Sequence, residues 1–299
     1  HLVDEAPHDA YAREAIREAS TFLKDLPHRN VLIEIANEVS LGHYRHPILQ
    51  AGGIADAVHL AQQAVDRKIP VSFSWTGPLP LAGSAADGAF RQADFILFHT
   101  NGKTPEQVDE TIDRFRSRFG DDRPLLINED GVSALNLQAA AEKHVGWGYY
   151  DQGLNNYRDG FQSPPVNWQI DTVAKWVFFE QVARLTGSPR PPRPSVPEQP
   201  ATIELTGLGK DGRVRDLADV GAHVVPRTLE WPVKRVEFFV DDIPYSYCLA
   251  AKCSVGMPFP WRRPVSQGKH ELRVVSYIRR GPAFSELAAM IEVPIVLAR

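Results

Sequence analysis

The chain has 299 residues, 43% of them hydrophobic and 23% charged, with a formal net charge of −4. This length is typical of two domains, and the apolar fraction excludes wholesale disorder. The acidic balance argues against a nucleic-acid partner, and no apolar run approaches the ~20 residues that cross a bilayer.

The first part of the chain alternates helical and strand patterns. Apolar residues recur at helical spacing in three stripes: Tyr11, Ala15, Ala19, Phe22, Leu23 and Leu26, then Ile54, Val58, Ala61 and Val65, then Val108, Ile112, Phe115 and Phe119. The third helix should begin at a capping box of Thr104 and Gln107 and end at Gly120. A last helix is predicted from about Asp171 to Leu185.

Short apolar runs lie between the helices: Val31–Ile35, Val71–Trp75, Phe95–Phe98, Leu125–Ile127 and Trp147–Tyr150. Near-continuous apolar runs are typical of strands buried on both faces, and the intervening helices predict parallel order. Two architectures fit this pattern. One is an open doubly wound sheet, and the other is the later part of a (β/α)8 barrel whose first three units are absent.

A proline-rich segment, Pro189–Pro200, divides the sequence, because its residues favour an extended connector. After it, β runs appear without any helical period: Thr202–Leu205, Val233–Val240, Tyr245–Leu249, His270–Tyr277 and Ile291–Leu297. These runs predict a small antiparallel sandwich. We therefore predict a (β/α) portion at 1–187, a linker at 188–201 and a β-sandwich at 202–299.

Acidic residues follow two of the predicted parallel strands. Asn37-Glu38 comes after the first strand, and Asn128-Glu129 comes after the fourth. Active sites of α/β folds form at the carboxyl ends of the strands, so these glutamates should approach a shared pocket. Two facing carboxyl groups suit glycoside hydrolysis, in which one donates a proton and the other attacks. The alternative interpretation is that each glutamate is a solvated charge at a strand end.

The same residues resemble a known family. The run Ile33–Glu38 resembles the Asn-Glu signature that ends strand four in the (β/α)8 glycoside hydrolases of the cellulase-like clan. Leu125–Gly131 is similar to the clan's strand-seven segment, and Trp147 lies where the clan often has a sugar-stacking tryptophan at strand eight. The resemblance covers about residues 6–187.

This resemblance implies a retaining mechanism that needs no cofactor and no metal. Glu129 would attack the anomeric carbon, Glu38 would act as acid and base, and Asn37 would contact the sugar 2-hydroxyl. Their carboxyl groups should lie about 5–5.5 Å apart. The expected substrate is a carbohydrate with a β-linkage.

Further residues are predicted to bind this substrate. Sugars stack on aromatic rings, which favours Trp75, Trp147 and Tyr149. The other candidates are Tyr44 on the loop after Glu38, Asn128 before Glu129, and His99, which matches the clan's position beside the nucleophile. The clan's first three strands have no counterpart, so we expect upstream sequence or a partner chain to complete the barrel.

The second domain resembles the immunoglobulin-like modules of secreted bacterial glycosidases, on the runs Val236–Asp242 and Gly268–Leu272. This resemblance implies an extracellular or periplasmic location. Cys248 and Cys253 are spaced so that they can form a disulfide or remain two thiols. The alternative function is that of a non-catalytic carbohydrate-binding or cell-surface protein with a degenerate glycosidase barrel.

Overall fold

The computed structural model describes residues 9–28, 30–150, 169–195, 198–254, 264–279 and 286–298. The chain divides into two compact units, one formed by residues 1–130 and 139–148, the other by residues 131–138 and 149–299. The domain boundaries predicted at residues 187 and 201 stay predictions. Among the helices described, none has the length and apolar character needed to cross a membrane.

The first unit alternates helices and short strands, as the sequence pattern predicts. Its elements are α1 (Asp9–Asp25), β1 (Ile33–Glu34), α2 (Ile54–Ala64), β2 (Val71–Ser72), β3 (Ser74–Trp75), α3 (Ala85–Gln92), β4 (Ile96–Phe98), α4 (Pro105–Phe119), β5 (Leu125–Ile127), α5 (Ala134–Glu142) and β6 (Gly146–Trp147). The first residues of α5 belong to the second unit. The molecule is therefore of mixed α/β class.

The strands of the first unit pair in parallel, which confirms the predicted strand direction. β1 pairs with β2, and β3, β4, β5 and β6 pair in that order. β2 and β3 belong to one segment, interrupted only at Phe73. Strand order thus follows chain order in the described part of this unit, without the reversal that defines a doubly wound sheet.

Two helices show where periodicity succeeds and where it fails. In α4 the predicted apolar stripe is buried, and Thr104 and Gln107 form the predicted capping box. In α1 the predicted face is wrong, because Ala12, Ile16 and Ser20 are the buried residues. Tyr11 and Phe22 of the predicted stripe are 56% and 64% exposed.

The rest of that α1 stripe lines a cleft. Ala15, Ala19 and Leu23 face a cavity of about 370 Å³ between α1 and β1. Small side chains on this helix face leave space beside the strand instead of filling it. Part of the predicted stripe of α1 therefore faces a cavity beside β1 instead of packed side chains.

The second unit joins a helix to two sheets. Its elements are α6 (Val173–Thr186), β7 (Ala201–Thr206), β8 (Arg213–Val214), β9 (Gly221–Pro226), β10 (Val233–Val240), β11 (Ile243–Cys248), β12 (Lys252–Ser254), β13 (Gly268–Arg279) and β14 (Glu286–Leu297). One sheet has the order β11-β10-β13-β14-β8 and the other β12-β9-β7. The five predicted β runs are confirmed as strands, and β8, β9 and β12 were not predicted.

Helix α6 packs against the larger sheet of this unit. Val173, Trp176 and Val177 share an apolar cluster with Phe239 and Tyr277 of the strands. The proline-rich segment adds to this packing, because Pro191 accepts a hydrogen bond from the Trp176 indole at 3.2 Å. The last predicted barrel helix and the start of the predicted linker therefore belong to the second unit.

A disulfide is present in the same unit. Cys248, at the end of β11, is disulfide-bonded. The sequence holds two cysteines, so the alternative of two free thiols is wrong.

Candidate active site

Three side chains meet at the carboxyl ends of the parallel strands. Glu38, His99 and Glu129 follow β1, β4 and β5 respectively. The His99 Nδ1 atom lies 2.9 Å from Glu38 Oε1 and 3.1 Å from Glu129 Oε2. One carboxylate oxygen from each glutamate and the histidine nitrogen all lie within 4.8 Å of one another. The strand-end argument predicted that Glu38 and Glu129 approach each other, and His99, a candidate from the clan resemblance, lies between them.

The histidine holds the two carboxyl groups together. Its side chain is 0% exposed, and both atoms that face Nδ1 are carboxylate oxygens. With a proton on Nδ1, the imidazole can donate to both carboxylate oxygens. The opposite nitrogen, Nε2, is buried without a hydrogen-bond partner. His99 therefore bridges the two glutamates through Nδ1, while its Nε2 has no hydrogen-bond partner.

The backbone at Glu38 is strained. Its φ of 48° and ψ of 51° lie in the left-handed region, which residues with a Cβ rarely adopt. The Glu38 N–H donates to the Ser74 hydroxyl at 2.7 Å, and the Glu38 carbonyl accepts from Leu41 at 2.9 Å. These bonds fix the turn after β1 in a conformation that costs of order 1–3 kcal/mol. Such strain often accompanies functional positions.

The segment around Glu129 is fixed by close backbone contacts. The Glu129 carbonyl accepts a hydrogen bond from the Thr100 N–H at 3.1 Å, next to His99. On the other side, Gly148 donates to the Ile127 carbonyl at 2.8 Å. A Cβ added at Gly148 would lie 3.0 Å from the Asn128 carbonyl oxygen, so only glycine fits there without displacement. The neighbours of Glu129 therefore hold it from both sides.

The two glutamates reach solvent while their surroundings are buried. Glu38 and Glu129 side chains are 18% and 17% exposed. Buried polar atoms without hydrogen-bond partners follow three adjacent strands: Thr100 Oγ1, Asn101 Oδ1, Asn128 Oδ1 and Trp147 Nε1. Since buried polar atoms are normally hydrogen-bonded, this concentration is typical of a site that receives a polar ligand.

A third carboxyl group, at Glu34, was missed by the sequence analysis. Its Oε2 accepts a hydrogen bond from the Asn128 amide at 3.3 Å. Burial raises the pKa of Glu34, and this effect outweighs the Ser74 hydroxyl, the His99 charge and the Asn128 amide, which lower it. An acidic residue inside a short apolar run was the signal that could have identified Glu34.

Ser74 on β3 was also missed. Its hydroxyl accepts from the Glu38 N–H and donates to the Asn37 Oδ1 at 3.3 Å. A serine in an apolar strand gives little sequence signal, and its role depends on strand pairing. Ser74 orients the Asn37 amide and anchors the backbone of Glu38.

The aromatic residues that were predicted to bind substrate lie in different environments. The Tyr44 hydroxyl is buried and accepts from the Asn37 N–H at 2.7 Å. Trp75 packs on Phe90 at 5.8 Å between ring centroids, and its indole donates to the Pro78 carbonyl at 2.6 Å. These contacts support the site's framework, and the substrate-binding roles of both residues stay predictions.

Trp147 and Tyr149 are separated by the division of the chain into units. Trp147 pairs in register with Ile127 in the first unit and is partly exposed. Tyr149 belongs to the second unit and packs on Phe178 and Phe179, at 5.1 and 5.7 Å between ring centroids. Stacking of either ring on a sugar stays a prediction.

The same cluster offers metal-ligating atoms. Glu38, His99 and Glu129 are the group in the described chain whose ligand atoms could surround a cation. Two carboxylates and one imidazole would suit a divalent transition metal. The shared Nδ1 hydrogen bond already satisfies these atoms without a metal, and the chemistry predicted for the pair requires none.

Comparison with known proteins identifies no family for this chain. No family model matches this chain, and no curated protein matches it. A crystal structure of an engineered protein is similar at 11% sequence identity and a TM-score of 0.24, over 86% of this chain and 62% of that chain. This chain therefore spans less than two thirds of that protein's length, and a TM-score so low does not establish a common fold.

Proposed function

We propose that this protein is a retaining glycoside hydrolase that cleaves β-linked glycans or glycosides through two glutamates. The observation that carries the proposal is the approach of Glu38 and Glu129, which have carboxylate oxygens within 4.8 Å of each other. Retaining enzymes hold their carboxyl groups about 5–5.5 Å apart, whereas inverting enzymes need about 6.5–9.5 Å for a water molecule. The short separation favours retention.

The proposed reaction is a double displacement. Glu129 attacks the anomeric carbon, and Glu38 gives its proton to the glycosidic oxygen as the C–O bond breaks. Glu38 then takes a proton from water, whose oxygen attacks the same carbon and releases Glu129. His99 holds both carboxyl groups in place, and the role of each glutamate comes from the clan resemblance.

We also propose that the first unit corresponds to strands four to eight of a (β/α)8 barrel. Parallel strands in sequential order support this proposal. The Glu34–Asn128 hydrogen bond supports it too, because it joins β1 to the end of β5 and so requires a curved sheet. Upstream sequence or a partner chain would supply the remaining strands.

For the second unit we propose an immunoglobulin-like sandwich and a location outside the cytoplasm. Two mostly antiparallel sheets support the sandwich, although β14 and β8 pair in parallel. The disulfide at Cys248 supports an oxidising compartment, since disulfides persist there. A carbohydrate is the proposed ligand of the protein as a whole.

The test is hydrolysis of a panel of 4-nitrophenyl β-glycosides by the full chain and by Glu129→Gln and Glu38→Gln variants. Loss of the proton donor should lower kcat by about 10²–10⁴-fold, and loss of the nucleophile by at least as much. Nuclear magnetic resonance of the first product should show the β-anomer. With azide, Glu38→Ala should yield a β-glycosyl azide and Glu129→Ala an α-glycosyl azide.

Glu110→Gln is the matched control, because Glu110 is an exposed glutamate of α4 that pairs with Arg114. This variant should hydrolyse the substrates as the unaltered chain does. An α-anomer as first product would contradict the retaining mechanism. Sugar binding that persists unchanged in both glutamine variants, without hydrolysis by the unaltered chain, would instead identify a carbohydrate-binding protein.

A further inference from the structure

We propose that Glu34 is a positioning residue, which holds Asn128 and the adjoining Glu129 in register with the strand that carries Glu38. This inference rests on the proposed glycosidase function. Among the described residues, no hydrogen bond joins Glu34 directly to Glu38 or Glu129. The Glu34 carboxyl group acts through its hydrogen bond to Asn128.

The bond spans the two strands that carry the proposed acid and the proposed nucleophile. Glu34 lies on β1, four residues before Glu38, and Asn128 directly precedes Glu129 after β5. Their side chains meet at 3.3 Å between Oε2 and Nδ2. β1 and β5 are not hydrogen-bonded neighbours in either sheet, so this is a direct contact between strands that the ladder does not join.

The surroundings of Glu34 favour this role over a solvated charge. Its Oε1 is buried without a hydrogen-bond partner, and the carboxyl group lies within electrostatic reach of His99 and Glu129. Burying a carboxyl group is costly unless the group is hydrogen-bonded or paired. The hydrogen bond from Asn128 Nδ2 partly satisfies the Glu34 carboxyl group and fixes the orientation of the Asn128 amide.

Fixing Asn128 has a consequence for Glu129. Gly148, which directly follows β6, packs closely on the backbone of Asn128. Asn128 is therefore held between Gly148 and the side chain of Glu34. A displacement of about 1 Å at a reacting group can lower the rate about 10²-fold. Release of Asn128 should therefore reduce the chemical step rather than substrate binding.

The experiment compares Glu34→Gln, Glu34→Leu, Asn128→Ala and the double variant Glu34→Leu/Asn128→Ala with 4-nitrophenyl β-glycosides. Glutamine keeps an acceptor for Asn128, so kcat should fall less than about threefold, whereas leucine should lower kcat about 10–100-fold with KM little changed. The double variant should be no slower than Asn128→Ala alone, because residues that act as one unit are not additive. If Glu34→Leu does not fold, Glu34→Asp replaces it, since it withdraws the carboxyl by one methylene.

A second measurement needs no substrate. With ¹⁵N-labelled asparagine, the Asn128 side-chain amide signal should shift in Glu34→Leu and stay close to its original position in Glu34→Gln. An unmoved signal, a loss confined to KM, or additive losses in the double variant would each overturn the positioning role. Absence of hydrolysis by the unaltered chain would instead refute the proposed function, and the amide signal would still decide the role of Glu34.

Discussion

Each compact unit holds a cluster of acidic side chains around a basic one, and the two clusters differ in how well their charges are matched. The carboxylate–histidine cluster of the first unit joins Glu38 and Glu129 to one histidine, His99. The arginine cluster of the second unit places Arg273 among three acids, and further arginines complete it. Its members are Arg273, Glu180, Asp242, Glu292, Arg190 and Arg193.

The two clusters differ in charge balance and in backbone strain. Three arginines offset three acids in the arginine cluster. Arg273 itself contacts both Asp242, at 2.5 Å, and Glu292, at 2.7 Å. The carboxylate–histidine cluster has an excess of acid, a strained backbone at Glu38 and a buried nitrogen without a partner. The arginine cluster joins α6 to the larger sheet through matched charges, whereas the carboxylate–histidine cluster keeps unmatched charges at the carboxyl ends of its strands.

The largest loss of stability is expected when the arginine cluster loses Arg273. Arg273→Met leaves Glu180 buried without its bidentate partner, which should lower the free energy of unfolding by about 3–5 kcal/mol. Urea denaturation measures this loss. Arg190→Ala is the control, because Arg190 is exposed and its removal should cost less than about 1 kcal/mol. A loss of similar size in both variants would contradict the claim that the buried Arg273, rather than the exposed Arg190, holds the arginine cluster together.

A second prediction concerns a carboxyl group whose pKa is raised by burial rather than by neighbouring acidic groups. Glu237 is fully buried beside Arg235, and burial raises its pKa despite that charge and the hydroxyls of Ser133 and Tyr277. A raised folded-state pKa means that the unfolded chain releases the proton first as pH rises. Stability contributed by Glu237 is therefore present below the ordinary glutamate pKa and is lost as pH rises above it.

Glu237→Gln should remove this dependence. The variant's free energy of unfolding should rise relative to that of the unaltered chain from about pH 5 to pH 8, with each unit of pKa shift worth about 1.4 kcal/mol. Thermal unfolding across that range measures the difference. A difference that stays constant with pH would show that Glu237 is already ionised in the folded chain.

The smallest effect concerns the strained turn in the first unit. Glycine adopts the left-handed region freely, so Glu38→Gly should be more stable than Glu38→Ala by about 1 kcal/mol. Alanine is the matched control, because it removes the same carboxyl group and keeps the Cβ. Thermal unfolding of both variants decides the point, and equal stabilities would mean that the backbone at residue 38 relaxes at no cost.

The sequence predicted those features that depend on local pattern. Parallel order and most strand positions follow from buried apolar runs, and the start of α4 follows from its capping box. The fifth predicted strand, Trp147–Tyr150, is displaced, because the strand observed there is Gly146–Trp147. The approach of Glu38 to Glu129 follows from one geometric rule, that the carboxyl ends of parallel strands share an edge, whereas His99 was a candidate from the clan resemblance. The function that these residues perform remains a proposal.

What the sequence did not predict depends on contacts between distant segments. Glu34 and Ser74 acquire their partners through strand pairing and curvature, which no local pattern encodes. The buried face of α1 is set by its packing on α2 rather than by its most apolar stripe. Helix α6 was predicted as the last helix of the first part of the chain, but residues 173–178 are buried in succession, so no single apolar face indicated which sheet the helix covers.

The packing of α6 on the larger sheet affects how this protein can be divided or recombined with others. A chain cut after residue 187 would keep α6 but lose the strands that cover Val173, Trp176 and Val177, exposing an apolar surface in water. The strands expressed from residue 202 would lose the helix that covers Phe239 and Tyr277. Exchanged modules should therefore keep α6 and its sheet together with residues 131–138, which belong to the same unit.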